Sequence, residues 1–350
     1  MSSLPRNKII NGDSLEVLKE LDSESIDCVI TSPPYWQLRD YGTGSWEGGD
    51  NSCNHVRLVN VNKAKCGNTK KMLGRNPYID VCGRCGAKRI DRQQGLEPTF
   101  DEYISKLVTV FDEVKRVLKK EGTCWINLGD SYARGSRNKD GINQTVSNRN
   151  DLTVEPISKP EYIGDKTLCL IPSRFAIAMI DSGWILRNDI IWHKPNCMPE
   201  SVKDRFTTDY EHLFFFVKNK NYYFKQLFEN LDKTDLRNTG VNGTANDTLF
   251  NNNPSGHFGT RNEGRNKRTV WTIPTQPSSE EHYASYPNEL VRIPVEAGCP
   301  EKGTVLDPFC GTATTCYVAK EMGRNYIGID LKKEYCDMAN KRLRQYNLAL

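Results

Sequence analysis

The longest apolar runs in this chain of 350 residues, IDCVI and HLFFFV, have the dimensions of strands, and none approaches the length that crosses a bilayer. A strong charge imbalance is missing as well. The net charge of +4 excludes a bulk polycation, although 48 basic residues are enough for a local basic face. The opening residues MSSLPRNK lack the apolar stretch of a signal peptide, which predicts a cytoplasmic protein with no membrane partner. In that compartment the twelve cysteines do not form a disulfide framework. Neither the lysine of a phosphate-binding P-loop nor a G-x-G-x-x-G fingerprint is found, and no internal repeat divides the chain.

What is present is alternation of strand and helix. KIINGDSLEVLKELDSESIDCVITSPPY reads as strand, helix, strand, with Leu15, Leu18 and Leu21 at helical spacing and Asp13 or Ser14 as N-cap. Residues 42–98 are rich in Gly, Asn, Lys and Cys, have little apolar periodicity, and read as an insertion. Phe100, Tyr103, Leu107, Phe111, Val114 and Leu118 predict an amphipathic helix whose last turn is closed by Lys119 and Lys120. GTCWINLGDSYA, ILRNDIIWHK and HLFFFVKNKNYYF read as strands, and IPSRFAIAMIDSGW as a helix. Residues 135–160 and 233–268 are polar tracts, after which the chain closes as strand, loop, helix, strand, helix. The pattern predicts an α/β fold with a mostly parallel sheet and helices on both faces.

Two stretches carry chemistry. TSPPYW follows a buried strand and stops it, because neither proline donates a backbone hydrogen bond. In isolation Tyr35 and Trp36 read equally well as core aromatics. Near the other end, VLDPFCGTATT is a strand running into a small-residue turn and a helix, where a ligand approaches the backbone closely. GIDL then ends a second strand in an acid, the position that binds ribose hydroxyls in folds of this type.

TSPPYW upstream and LDPFCGTATT with GID downstream resemble the motifs of the amino-methyltransferases that modify exocyclic nitrogens of DNA bases. Their order resembles the circularly permuted β class of that family. The resemblance implies a Rossmann-like, S-adenosylmethionine-dependent methyltransferase fold. Residues 1–41 and 99–232 form its catalytic half, 269–350 its cofactor-binding half, and 233–268 a candidate target-recognition loop. It puts Asp307, Pro308, Phe309, Gly311 and Thr312 at the cofactor's methionine end, with Thr31 counted among the cofactor residues. Tyr286 and Pro287 go near the methionine carboxylate, Asp330 on the ribose and Asp13 on the adenine side. The strands TVLDPF and DCVIT become neighbours, so that Pro33 and Phe309 meet at the switch point.

The amine of a nucleobase is a poor nucleophile, since its lone pair is delocalised into the ring. Two fixed acceptors, the Ser32 hydroxyl and the Pro33 carbonyl, would draw that pair out of conjugation, held by a loop stiffened by Pro33 and Pro34. Tyr35 stacks on the base in this reading, and Trp36 and His193 border its pocket. Transfer is direct, and the base is flipped out of double-stranded DNA at a cost of a few kcal/mol. Serine at position 32 resembles the family members that act on cytosine N4, which the resemblance therefore implies, with adenine N6 as the alternative and an RNA substrate or an inactive nucleic-acid-binding protein as further readings. The resemblance allows a cognate restriction endonuclease as a partner, and the residues leave monomer and homodimer open.

Cys53, His55, Cys82 and Cys85 offer four soft or borderline ligands, and C-x-x-C followed by Gly is a zinc-knuckle spacing. Cys66 is a spare that replaces His55 in a second version of the set. A structural zinc would staple an insertion too poor in apolar residues to hold itself. Its lysines and arginines, from Lys63 to Arg89, lie along a DNA backbone or form a solvated surface.

Overall fold

Phe214 and Phe216 of strand β9 (Tyr210–Val217) enter one buried cluster, while Leu213, Phe215 and Val217 enter another. A strand that is apolar on both sides must be covered on both. The same alternation runs through β7 (Leu118–Leu128), where Cys124, Ile126 and Leu128 face one way and Trp125 the other. Each fully buried phenylalanine contributes roughly 1.5–3 kcal/mol. The computed structural model describes residues 6–36, 41–55, 57–59, 78–133, 163–229, 265–276 and 286–348. Cys66, the tract 135–160, residues 233–264 and the basic positions Lys63 to Arg75 lie outside them.

The main sheet has eight strands. In spatial order they are β1 (Lys8–Asn11), β14 (Asn325–Asp330), β13 (Thr304–Asp307), β2 (Ile26–Thr31), β7, β9, β8 (Ile185–His193) and β12 (Val270–Thr272). Only β9 runs against its neighbours, β7 and β8; the remaining pairings are parallel. Helices α1 (Ser14–Glu20), α2 (Phe100–Val117) and α3 (Ile171–Asp181) pack on one face. Helices α4 (Asn288–Gly298), α5 (Thr314–Glu321) and α6 (Lys333–Leu348) pack on the other. This is an α/β architecture with the expected mostly parallel sheet and helices on both faces.

One local expectation changes, and one helix was not foreseen. The helix from Phe100 stops at Val117, not at the lysines, because Leu118 turns extended and pairs with Ile26 of β2. Lys119 then binds Asp27 at 2.7 Å from within a strand. Helix α4 was hidden by Pro294 in its interior, a residue that argues against helix.

Strands β13 and β2 lie side by side, with Val305 opposite Cys28. The chain leaves β13 into α5 on one face, and beyond β2 it reaches α2 on the other. Opposite crossovers from adjacent strands open a crevice at their carboxyl ends. A second, antiparallel sheet stands apart in the order β3 (Ser45–Glu47), β6 (Lys88–Ile90), β5 (Tyr78–Cys82), β4 (Arg57–Val59). A small ladder joins β10 (Phe228–Glu229) to β11 (Arg265–Asn266). Among the described residues, no helix is long and apolar enough to cross a membrane.

Candidate active site

A cavity of about 420 Å³ opens at the carboxyl ends of β2 and β13. It is within the size range of small-molecule sites. Ser32, Pro33, Pro34 and Tyr35 line one end; Phe309, Gly311, Thr312 and Asp330 line the other, with Asp13 and Tyr286 also on the wall. Pro33 and Phe309, 276 residues apart, thus share one cavity because β2 and β13 are neighbours.

Asp307, the last residue of β13, stands behind the turn instead of lining the cavity. Its carboxylate accepts from Thr31 Oγ1 and Thr315 Oγ1, each at 2.6 Å, from the Phe309 N–H at 3.1 Å and from Tyr286 OH at 3.2 Å. Burial pushes its pKa up and these four donors push it back, so the group is a junction tying β2, β13 and α5 together. Thr31 accordingly spends its hydroxyl on this junction, and neither it nor Pro308 nor Pro287 reaches the cavity wall. Asp330 does reach it. The Gly311 N–H donates to one of its oxygens at 2.9 Å and the Lys332 N–H to the other at 2.8 Å. Burial outweighs both and raises its pKa to about 6. Asp13 caps α1, accepting from the Leu15 and Glu16 N–H groups.

The other end is a polar cluster. Tyr35 OH donates to Glu211 Oε2 at 2.6 Å, and Asn127 Oδ1 lies 3.0 Å from the Tyr35 hydroxyl oxygen. Lys194 pairs with the second oxygen of Glu211 and lies 4.7 Å from the centre of the Trp192 ring. Burial, then the Glu211 charge, holds the Tyr35 phenol well above its ordinary pKa, so it stays protonated. Ser32 Oγ donates to Tyr35 OH across a long 3.4 Å, which turns its proton away and leaves its lone pairs to accept. The Pro34 carbonyl is taken by Tyr103 OH at 2.8 Å, whereas among the described residues no donor takes the Pro33 carbonyl. Gly129 keeps a bare backbone against the Tyr35 ring; a Cβ there would sit 2.7 Å from Cε2.

Two expected pocket residues lie elsewhere. Trp36 is buried in the core, edge-on to Phe100 with Nε1 donating to the Glu97 carbonyl at 2.9 Å, so it does not wall the cavity. His193 contacts Thr272 at 3.1 Å and Asp209 at 3.7 Å, while its neighbours Trp192 and Lys194 line the cavity in its place. Sequence reasoning missed Asn127 and Glu211. Glu211 opens the run EHLFFFV, where a carboxylate near the start of a buried strand was the available signal.

A separate cluster lies on the small sheet. The ligand atoms of Cys53, His55, Cys82 and Cys85 are all within 4.8 Å of one another. Cys53 and Cys82 sulfurs are 3.9 Å apart, and Cys85 Sγ is 3.3 Å from His55 Nδ1. Ordinary zinc bond lengths put tetrahedral ligands about 3.5–3.8 Å apart, so the set fits a four-coordinate ion.

A doubly covered sheet with a cavity at its switch point defines an α/β fold that takes its ligand at the carboxyl ends of the strands. Solved structures share it: the PvuII DNA methyltransferase, titled cytosine-N4-specific, superposes with a TM-score of 0.55 at 18% identity, covering 97% of this chain and 86% of that one. A Thermus thermophilus DNA modification methylase solved with S-adenosyl-L-methionine gives 0.52 at 20% identity, covering 97% and 93%. The chain belongs to the DNA methylase family of N6 and N4 amino-methyltransferases, whose model matches residues 26–341. Among its relatives are the Type II methyltransferases M.SmaI of Serratia marcescens, 36% identical over 98% of this chain and 92% of the relative, and M.Cfr9I of Citrobacter freundii, 35% identical over 96% and 87%. It is therefore a site-specific DNA amino-methyltransferase.

Proposed function

We propose that this enzyme moves a methyl group from S-adenosylmethionine to the exocyclic N4 of a cytosine flipped out of double-stranded DNA. The observation that carries the reading is the pair of acceptors, Ser32 Oγ and the Pro33 carbonyl, at the end of the cavity opposite Asp330. The residues at the Asp330 end fit the methyl donor. A buried carboxylate with spare lone pairs suits a ribose diol, and Phe309, Leu331 and Tyr335 offer apolar walls for a purine. Bound there, the donor supplies a methyl already activated on a sulfonium.

The chain's own residues do the rest. Ser32 and Pro33 accept the two amine hydrogens and aim the nitrogen lone pair along the cavity. Tyr35 fixes Ser32 and borders the base, and Glu211 with Asn127 fixes Tyr35. No thiolate takes part: Cys310 lines the cavity, but burial raises its thiol well above the ordinary range. Direct transfer follows, and the amine proton leaves to solvent. Serine at position 32, as in the N4 members that the motif resembles, favours cytosine. We also assign a structural zinc to Cys53, His55, Cys82 and Cys85, within an inserted unit spanning 42–98. Mass spectrometry of nucleosides from DNA treated with the enzyme and a labelled methyl donor tests the central claim. N4-methylcytosine is expected; N6-methyladenine would overturn the base assignment and keep the mechanism.

A further inference from the structure

The insertion is not remote from the cavity. Tyr41, Thr43, Arg92, Gln93 and Gln94, which flank the small sheet on either side, line it. Resting on the zinc assignment above, we infer that the bound zinc is a positioning element for the active cavity: it sets the wall that closes over the methyl donor and backs the Ser32–Tyr35 loop.

The link from metal ligand to cavity is continuous. His55 stacks on Trp46 of β3, with ring centroids 5.1 Å apart and planes at 27°. Trp46 pairs with Arg89 of β6, whose buried guanidinium binds Asp91 at 2.5 Å. Asp91 Oδ1 accepts from Thr43 Oγ1 at 2.9 Å and from the Gln93 N–H at 3.0 Å, and Gln93 Oε1 accepts from the Tyr41 N–H at 2.7 Å. Asp91 is thus a junction holding both edges of the wall together. Cys82 and Cys85 flank the turn that leads into β6, so they fix the strand carrying Arg89.

Both ends of the cavity meet this wall. Tyr41 packs edge-on against Tyr335 of α6 at 6.1 Å, on the Asp330 side. At the other end Gly95, at φ +91°, abuts the backbone of Tyr35, and a Cβ there would lie 2.8 Å from the Tyr35 carbonyl oxygen. Between them Gln94 lines the cavity, and among the described residues its buried side-chain oxygen accepts no hydrogen bond. A buried acceptor of that kind expects a donor from a bound molecule. The insertion is poor in apolar residues, so a bound ion would supply order that packing of its own side chains does not.

The test uses the full chain. Elemental analysis is expected to find one zinc, lost in a Cys82→Ser/Cys85→Ser variant. If the competent wall is then populated a tenth of the time, the Kd for S-adenosylmethionine rises about tenfold in calorimetry. Asp91→Asn, which leaves the ligands alone, is expected to keep zinc and still weaken the donor several-fold. Hydrogen exchange at residues 41–44 and 91–95 is read in parallel, and should accelerate in the zinc-free variant while β2 and β13 stay protected. Absence of zinc from the wild type overturns the inference, as does an unchanged exchange pattern, or an unchanged Kd, in the zinc-free protein. A wild type that binds zinc but no S-adenosylmethionine overturns instead the choice of donor, and the exchange pattern then decides the role of the metal.

Discussion

The end of the cavity around Asp330 is built chiefly on one stretch, Phe309 to Tyr335, with Asp13, Tyr41 and Tyr286 added from elsewhere, whereas the end around Ser32 is assembled from β2, β7, β8 and β9. The first is made of backbone, apolar walls and one buried acid. The second is a chain of side-chain hydrogen bonds in which each group orients the next: Lys194 and Asn127 on Glu211 and Tyr35, and Tyr35 on Ser32. The difference assigns separate tasks. A continuous turn can hold a molecule by shape, but aiming one lone pair needs dipoles fixed from several directions.

If the tasks are separate, substitutions at the two ends will separate kinetically. The largest effect is expected at Ser32. Ser32→Ala removes an acceptor used on the amine, and should lower kcat by about 10²–10³, the range for loss of one preorganised polar group. Its Kd for S-adenosylmethionine should stay at the wild-type value, and calorimetry checks this. A large shift in Kd would mean that the two ends are not independent.

Asp330→Asn is the counterpart. The amide keeps the shape but loses charge-assisted acceptance from ribose hydroxyls, for a cost of about 1.5 kcal/mol, or roughly tenfold in Kd. The turnover at saturating donor should change little. Glu211→Gln sharpens the comparison within the Ser32 end. It weakens the tether on Tyr35 without touching the base, and kcat is expected to fall roughly fivefold, about 1 kcal/mol. Rapid-quench measurement of the transfer step distinguishes this from slower product release, and an unchanged transfer rate would remove Glu211 from the positioning chain.

The same contrast explains what could be read from the sequence. LDPFCGT and GID are local, so the strand, turn and acid that build the Asp330 end were visible in order. TSPPYW was visible for the same reason. Glu211 and Asn127 were not, because their meaning depends on β9 lying antiparallel between β7 and β8, a pairing no short window contains. Asp307 was visible but its task was not: the four donors that occupy it come from β2, α5, the turn and Tyr286. Trp36, next to a functional tyrosine, turned inward because Phe100 and the Glu97 carbonyl satisfy both its ring and its N–H.

The smallest effect is a pH dependence, and it belongs to one end alone. Burial raises Asp330 from the ordinary 3.8 to about 6 in the folded protein. Between those values the folded chain holds a proton that the unfolded chain has released. Stability therefore falls as pH rises through that window and levels off above about 6. Donor binding runs the opposite way, since the ribose hydroxyls need the carboxylate. With half of Asp330 protonated at pH 6, the Kd for S-adenosylmethionine should be about twice its value at pH 8, and should climb further below that. Denaturant melts and calorimetry across pH 5–8 should thus show stability and affinity moving in opposite directions. Asp330→Asn should flatten the affinity curve and make the stability curve shallower, leaving the share of Asp307 and Asp130, whose burial raises them as well, while Ser32→Ala should change neither. Were the affinity profile to persist in Asp330→Asn, the titrating group would lie elsewhere on the wall, and the one-acid description of that end would have to go.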